Sequence, residues 1–162
     1  MPQTLTAEIA ARFAGNAKMC ALSPDDVEQL PDRCLDFIVL HSVAQYLPSE
    51  KAQSLLGTFH RLLQNGGVLL VSDVIPPQVK ASTDAAALLR FAAANGFFFA
   101  ALNGLARTLF SDYRRLRARI GLTQYSEAGT IEKLQSAGFD ARRAEKNIGH
   151  NQARMAFIAR RR

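Results

Sequence analysis

"LLQNGGVLLVSDV", residues 62–74, decides how this chain folds. An amphipathic helix ends at Asn65-Gly66-Gly67, and an apolar strand of Val68, Leu69, Leu70 and Val71 begins at once and stops at Ser72-Asp73. A helix that reverses this sharply into a buried strand needs a left-handed backbone and no Cβ collision, which two glycines supply. Upstream, Pro48-Ser49-Glu50 opens that helix, which runs to about Gln64 with Leu55, Leu56, Phe59, Leu62 and Leu63 as its buried stripe.

Further out the same alternation continues. "LDFIVLHS" (35–42) is an apolar run of strand type, followed by a helix near Val43 to Tyr46. "KMCAL" (18–22) reads as a short strand and "SPDDVEQLPDRC" (23–34) as a polar loop. Residues 4–15 are helical, with Leu5, Ile9, Ala10 and Phe13 on one face and Gly15-Asn16 as the stop signal. Beyond Pro76-Pro77 a helical region runs from about Thr83 to Ile120. Ser126 then caps "SEAGTIEKLQSAG", which Gly138 closes, and two strand-like pieces end the chain, "DARRAEKNI" and "RMAFIAR". Strands alternating with helices, and apolar on both sides, define an α/β fold: a mostly parallel sheet with helices on both faces.

At 162 residues, 48% hydrophobic and 21% charged, the chain is one globular domain's worth of sequence with a sizeable core. The net charge of +6 raises the question of nucleic acid, but much of the excess sits in Arg114, Arg115, Arg117 and Arg119 and in the tail Arg160–Arg162. No aromatic or glycine pattern of a nucleic-acid module accompanies these arginines, so they read as solvated surface and no nucleic-acid partner is expected. Cys20 and Cys34 stand alone without a C-x-x-C or a signal peptide, which points to a reduced, cytoplasmic setting. His41, His60 and His150 are too scattered for a zinc site, so no metal is expected. "FAAANGFFFAALNGLARTLF" (91–110) imitates a membrane span but is too short and too interrupted, and reads as a buried or cap helix without stable membrane insertion.

The series "VEQLPDRCLDFIVLHSVAQYL", a helix, and "LLQNGGVLLVSDV" resembles the second half of class I S-adenosylmethionine-dependent methyltransferases of the type 11/12 kind. That family has an acidic loop ending in Leu-Pro, a strand of F-D-hydrophobic type, a helix, and an L-x-P-G-G turn into the next core strand. Here Leu35-Asp36-Phe37-Ile38 fills the strand start, and Gln64-Asn65-Gly66-Gly67 fills the turn with Asn65 where proline is common. "SAGFDARRAEKNIGHNQARMAFIAR" is similar to the family's last helix and its closing antiparallel hairpin. The likeness covers about 4–76 and 124–160. It departs at the start, where the family's glycine-rich loop and two central strands have no counterpart and Gly15 is the first glycine. The resemblance therefore implies an N-terminally truncated Rossmann-like methyltransferase sheet within a single partial domain, 1–162. Three parallel strands are expected near 18–22, 35–41 and 68–73, with a C-terminal antiparallel hairpin and a helical cap over 83–120.

It also implies S-adenosylmethionine as cofactor, methyl transfer to a small apolar acceptor, and a set of site residues. Asp26 matches the acid that accepts from the adenine amino group, with Val27 packing beside the ring. His41 and Ser42, at the carboxyl end of a core strand, match cofactor-facing positions, and His41 is also a candidate proton carrier. Asp73 is a candidate base or substrate-orienting group, or else stabilises the turn before Pro76. Gln45, Tyr46 and Tyr113 are candidates to face the acceptor, with core packing the alternative for Tyr46. Phe91, Phe97, Phe98 and Phe99 suit an apolar acceptor or the core. "NIGHN" (147–151) is a polar turn with no assigned role. The competing class is a non-catalytic methyltransferase-fold module. In either case the absence of two strands leaves an apolar edge at 35–41, which predicts a homo-oligomer.

Overall fold

The computed structural model describes residues 2–109 and 122–162. In chain order the elements are α1 (Pro2–Phe13), α2 (Pro24–Glu28), β1 (Leu35–His41), a 3-10 turn (Ala44–Tyr46), α3 (Ser49–Leu62) and β2 (Leu63–Val74). After these come α4 (Ala81–Ala94), α5 (Phe98–Leu109), α6 (Glu127–Ser136), β3 (Phe139–Arg143) and β4 (Met155–Arg161). The four strands make one sheet in the order β1-β2-β4-β3. β1 and β2 are parallel, while β4 runs antiparallel to both β2 and β3.

The opening stretch folds as its glycines require, with the helix ending earlier than expected. α3 stops at Leu62, and Leu63 already has extended backbone with φ −71° and ψ 139°. Gly66 then takes φ 77°. Gly67 meets a different constraint: a Cβ there would lie 2.8 Å from the Gln64 carbonyl oxygen and 3.2 Å from that of Asp36. One glycine supplies the turn and the other supplies the clearance. The turn shows as a register break, since Leu35 pairs with Leu63 but Phe37 already pairs with Val68.

The core lies on one face of the sheet. Leu56 of α3 and Leu134 of α6 pack with Leu69, Val71, Phe157 and Ala159, and Ile38 and Leu40 of β1 join them. Side chains alternate across a strand, so Phe37, Val39 and His41 project to the opposite face. Phe37 and Val39 are 53% and 50% exposed there, and their neighbours Val68, Leu70 and Ile158 are half-buried. α1 leaves its own stripe of Leu5, Ile9 and Phe13 exposed.

Two expectations are corrected here. Residues 18–22 form no strand: a turn closes with the Met19 amide donating to the Asn16 carbonyl, and Met19 and Leu22 are left exposed. A strand needs a partner ladder, and among the described residues β1 pairs only with β2, so two parallel strands are present there rather than three. Of the helices, α3 and α6 pack on the core face of the sheet through Leu56 and Leu134. The polar loop 23–34 contains the short helix α2, which a Ser23–Asp26 capping box and Pro24 hold in place. The described part of the cap region holds two helices, split at Asn95–Phe97, with Phe91 and Phe97 in edge contact at 5.9 Å. The part of the cap from 110 to 120 lies outside the described residues. The hairpin, the Ser126 cap and Gly138 stand where expected.

The two glycines should respond differently to substitution. Gly66→Ala keeps its space but forces L-residue backbone into the left-handed region, costing about 1 kcal/mol. Gly67→Ala drives a methyl into two backbone carbonyls and should cost at least twice as much, measured by urea unfolding. Equal losses would mean that clearance at 67 is not a constraint.

Candidate functional site at the carboxyl ends of the parallel strands

β1 and β2 lie in register, with His41 beside Ser72 as the last pair of their shared ladder. The next residue of each, Ser42 and Asp73, has left-handed backbone at φ 56° and 65°. Such backbone is uncommon outside glycine and costs energy unless the surroundings enforce it. Here they do. The Ser42 amide donates to the Ser72 carbonyl at 3.1 Å, and the Ser42 hydroxyl donates to Asp73 Oδ2. The Asp73 amide donates to Asn147 Oδ1 at 3.0 Å, and Asn147 Nδ2 donates back to Asp73 Oδ1 at 3.2 Å.

Arg154 completes the cluster. Its Nη1 donates to Asp73 Oδ2 at 2.5 Å, and its Nη2 and Nε donate to the two oxygens of Asp84 at 2.6 and 3.0 Å. Asn151 Nδ2 also reaches Asp84 Oδ1 at 2.6 Å. Arg154 and Asp73 side chains are only 12% and 11% exposed. Ends of β1 and β2, the β3–β4 loop and the first turn of α4 thus share one polar network. Burial alone would push the Asp73 carboxyl up. The Ser42 hydroxyl, the Arg154 charge and the Asn147 and Arg154 donors outweigh that and hold it below the ordinary carboxylate range. Burial likewise opposes the Arg154 charge, but the two carboxylates raise its pKa above the usual value, so it stays protonated.

The remaining candidates fall around this cluster. His41 is exposed at the strand end, and its Nδ1 lies 2.8 Å from Ser72 Oγ. Gln45 is 4% exposed: its Nε2 donates to the Ser42 carbonyl at 2.9 Å and its backbone carbonyl accepts from the Thr123 amide, so it braces the loop, while its Oε1 is buried without a partner among the described residues. Tyr46 is 45% exposed, and so not a core residue. Asp26 is exposed: its Oδ2 accepts from the Ser23 hydroxyl at 2.6 Å and the Ser23 amide at 2.9 Å, and these two bonds lower its pKa. Val27 is half-buried. Tyr113 lies outside the described residues. Phe91, Phe97, Phe98 and Phe99 are 37–83% exposed, so the core does not account for them, and Phe91 lies against His150 at 5.7 Å.

Sequence reading missed Ser72, Asp84, Asn151 and Arg154. The one available signal was the polar run 147–151 next to an arginine at the mouth of an apolar strand. Among the described residues no group of three or more potential metal ligands converges, and no helix is long and apolar enough to cross a membrane.

No protein-family model and no curated protein matches the sequence. Solved structures do match in fold. PigF with SAH aligns over 100% of this chain and 41% of its own at TM-score 0.61 and 16% identity. A possible exported protein from Bordetella parapertussis aligns over 99% of this chain and 51% of its own, at TM-score 0.59 and 21% identity. Magnesium protoporphyrin IX methyltransferase (ChlM) from Synechocystis PCC 6803 with bound SAM aligns over 96% of this chain and 52% of its own, at TM-score 0.51 and 15% identity. The chain has the Rossmann-like methyltransferase fold of these neighbours and spans about half their length or less.

The network has an acid limb. The folded chain binds the Asp73 proton less tightly than the unfolded chain. Its contribution is therefore complete above about pH 5 and is lost as pH falls through the ordinary aspartate range and below. Asp73→Asn should lower stability at pH 7 by about 3 kcal/mol, the low end for breaking a buried pair, and flatten the loss between pH 5 and 3. Urea titrations of both proteins across that range check it. An unchanged acid limb in Asp73→Asn would show that other carboxyls carry it.

Proposed function

We propose that this chain is part of an S-adenosylmethionine-dependent methyltransferase, cytoplasmic, acting on a small apolar acceptor. The observation that carries the reading is the pair of left-handed residues, Ser42 and Asp73, that close two adjacent parallel strands. In open α/β sheets ligands bind outside the carboxyl ends of the strands. The exposed aromatics of α4 and α5 suit an apolar acceptor beside that point, and neighbours of the same fold were crystallised with SAM or SAH.

The residues present suit one end of the cofactor. Asp26 keeps Oδ1 without a partner among the described residues and would take the adenine amino group, with half-buried Val27 beside the ring. His41 and Ser42 lie at the strand end. The positive-φ glycines Gly66, Gly96 and Gly138 follow helices or turn into strands and offer the methionine end no cradle. When bound, the cofactor supplies a methyl on a sulfonium, which a well-aligned nucleophile takes without an obligatory base. Asp73, held ionised by its donors, is a poor proton acceptor and serves to orient the site. His41 is the group free to meet a ligand.

Isothermal titration with S-adenosylhomocysteine tests this on the chain as it is. Saturable heat is expected, and Asp26→Ala should weaken it about tenfold, equivalent to one lost hydrogen bond to a charged group at roughly 1.4 kcal/mol. Absence of heat would favour the second reading, a methyltransferase-fold interaction module.

The bare sheet face supports a homo-oligomer under either reading. Two β1 edges paired antiparallel about Ile38 would set each Phe37 across from the partner's Val39, a favourable aromatic to β-branched pair. Light scattering at micromolar concentration should give a dimer that Phe37→Lys/Val39→Lys dissociates. A clean monomer with a cooperative melt would rule this out.

A further inference from the structure

We infer that Ser72 fixes His41 as the tautomer with its proton on Nε2, which makes His41 a hydrogen-bond donor to an oxygen of the bound ligand and not a general base. Ser72 is fully buried, and among the described residues its hydroxyl has a single partner, His41 Nδ1 at 2.8 Å. A hydroxyl carries one hydrogen and can accept or donate across that contact. If Nδ1–H donated, the serine hydrogen would be left buried without an acceptor, at a cost of roughly 1–3 kcal/mol. If the serine donates, both groups are satisfied, because His41 is exposed and its Nε2 has no partner among the described residues, which leaves Nε2–H to water or a ligand.

The chemical consequence follows from the two nitrogens being distinct. A general base needs a free lone pair aimed at the proton it takes. In neutral His41 that lone pair is on Nδ1 and points into the sheet at Ser72. Nε2, at the carboxyl end of β1, offers N–H instead. The ligand atom that complements it is a carboxylate, hydroxyl or carbonyl oxygen. Ser72 is a positioning residue: it touches no ligand and acts through the imidazole. The tautomer stands without the methyltransferase reading, whereas the identity of the ligand bearing the oxygen rests on it.

The test is a long-range proton–nitrogen correlation spectrum of the 15N-labelled chain at about pH 9, where imidazoles are neutral. His41 should show a pyrrole-type Nε2 and a pyridine-type Nδ1 shifted upfield by an accepted hydrogen bond. In Ser72→Ala, nearly isosteric, the Nδ1 signal should move downfield toward the free-imidazole position while the amide spectrum is preserved. Ser72→Cys, a weaker donor in the same place, should fall between. Protonation on Nδ1 in the wild-type chain would overturn the inference. So would an Nδ1 signal that ignores both substitutions. None of these readouts depends on activity, so failure to bind S-adenosylhomocysteine would count against the methyltransferase reading alone.

Discussion

Arg154 bonds to two carboxylates from consecutive elements, Asp73 near the end of β2 and Asp84 in the first turn of α4. A guanidinium is suited to this because its donors form a planar fork: Nη2 and Nε span both oxygens of Asp84 while Nη1 reaches Asp73. Burying charges costs energy unless each is paired and hydrogen-bonded, and removing one member strands the others. The asparagines answer that requirement, Asn147 on Asp73 and Asn151 on Asp84. Once the pair is in place, Asp73 and Ser42 can hold backbone that neither would adopt alone. The strained strand ends and the docking of α4 are therefore consequences of one buried cation.

What could be read in the sequence was local or periodic. Gly66-Gly67 announced a sharp helix-to-strand reversal because only glycine tolerates both the φ at 66 and the carbonyls around 67. β1, β2 and the β3–β4 hairpin carried strand patterns, and Ser126 and Gly138 marked the two ends of α6. The failures share a cause. "KMCAL" has strand composition, but a strand exists only where a neighbour completes its ladder, and no local signal reports that neighbour. The Arg154 network spans contacts 70 and 81 residues apart in sequence, which periodicity cannot see. Nor does periodicity report that the Gln45 side chain is buried with its Nε2 on the Ser42 carbonyl, since a polar residue in a tight turn serves the backbone first.

Two halves of the molecule differ in character. From β2 onward the sheet is pinned: Leu69, Phe157, Ala159 and Phe139 have no exposure at all. Toward the start, α1 and the loop 14–22 present Leu5, Ile9, Phe13, Met19 and Leu22 to solvent, and β1 leaves Phe37 and Val39 exposed. Between them, Arg61 of α3 holds the loop after α2 by donating to the carbonyls of Glu28 and Leu30 and pairing with Asp32 at 2.7 Å. That anchor fixes Asp26 in relation to the sheet without burying it. The gradient is one of apolar cover, and large apolar patches are rare on surfaces that nothing contacts.

His41 sits where these two features meet. Its alternation places it on the open face with Phe37 and Val39, while Ser72 ties its inner nitrogen to the pinned strand β2. The orientation of the ring is thus set by the well-packed part of the fold, and its outward N–H is presented to whatever covers the bare part. A group held rigidly from one side and left open on the other is preorganised for a ligand, since the entropy of fixing the donor is already spent in folding. Asp73 completes the division of labour. Its lone pairs are taken up by Ser42, Asn147 and Arg154, so it shapes the strand ends electrostatically and leaves to the exposed imidazole the ligand contact proposed above.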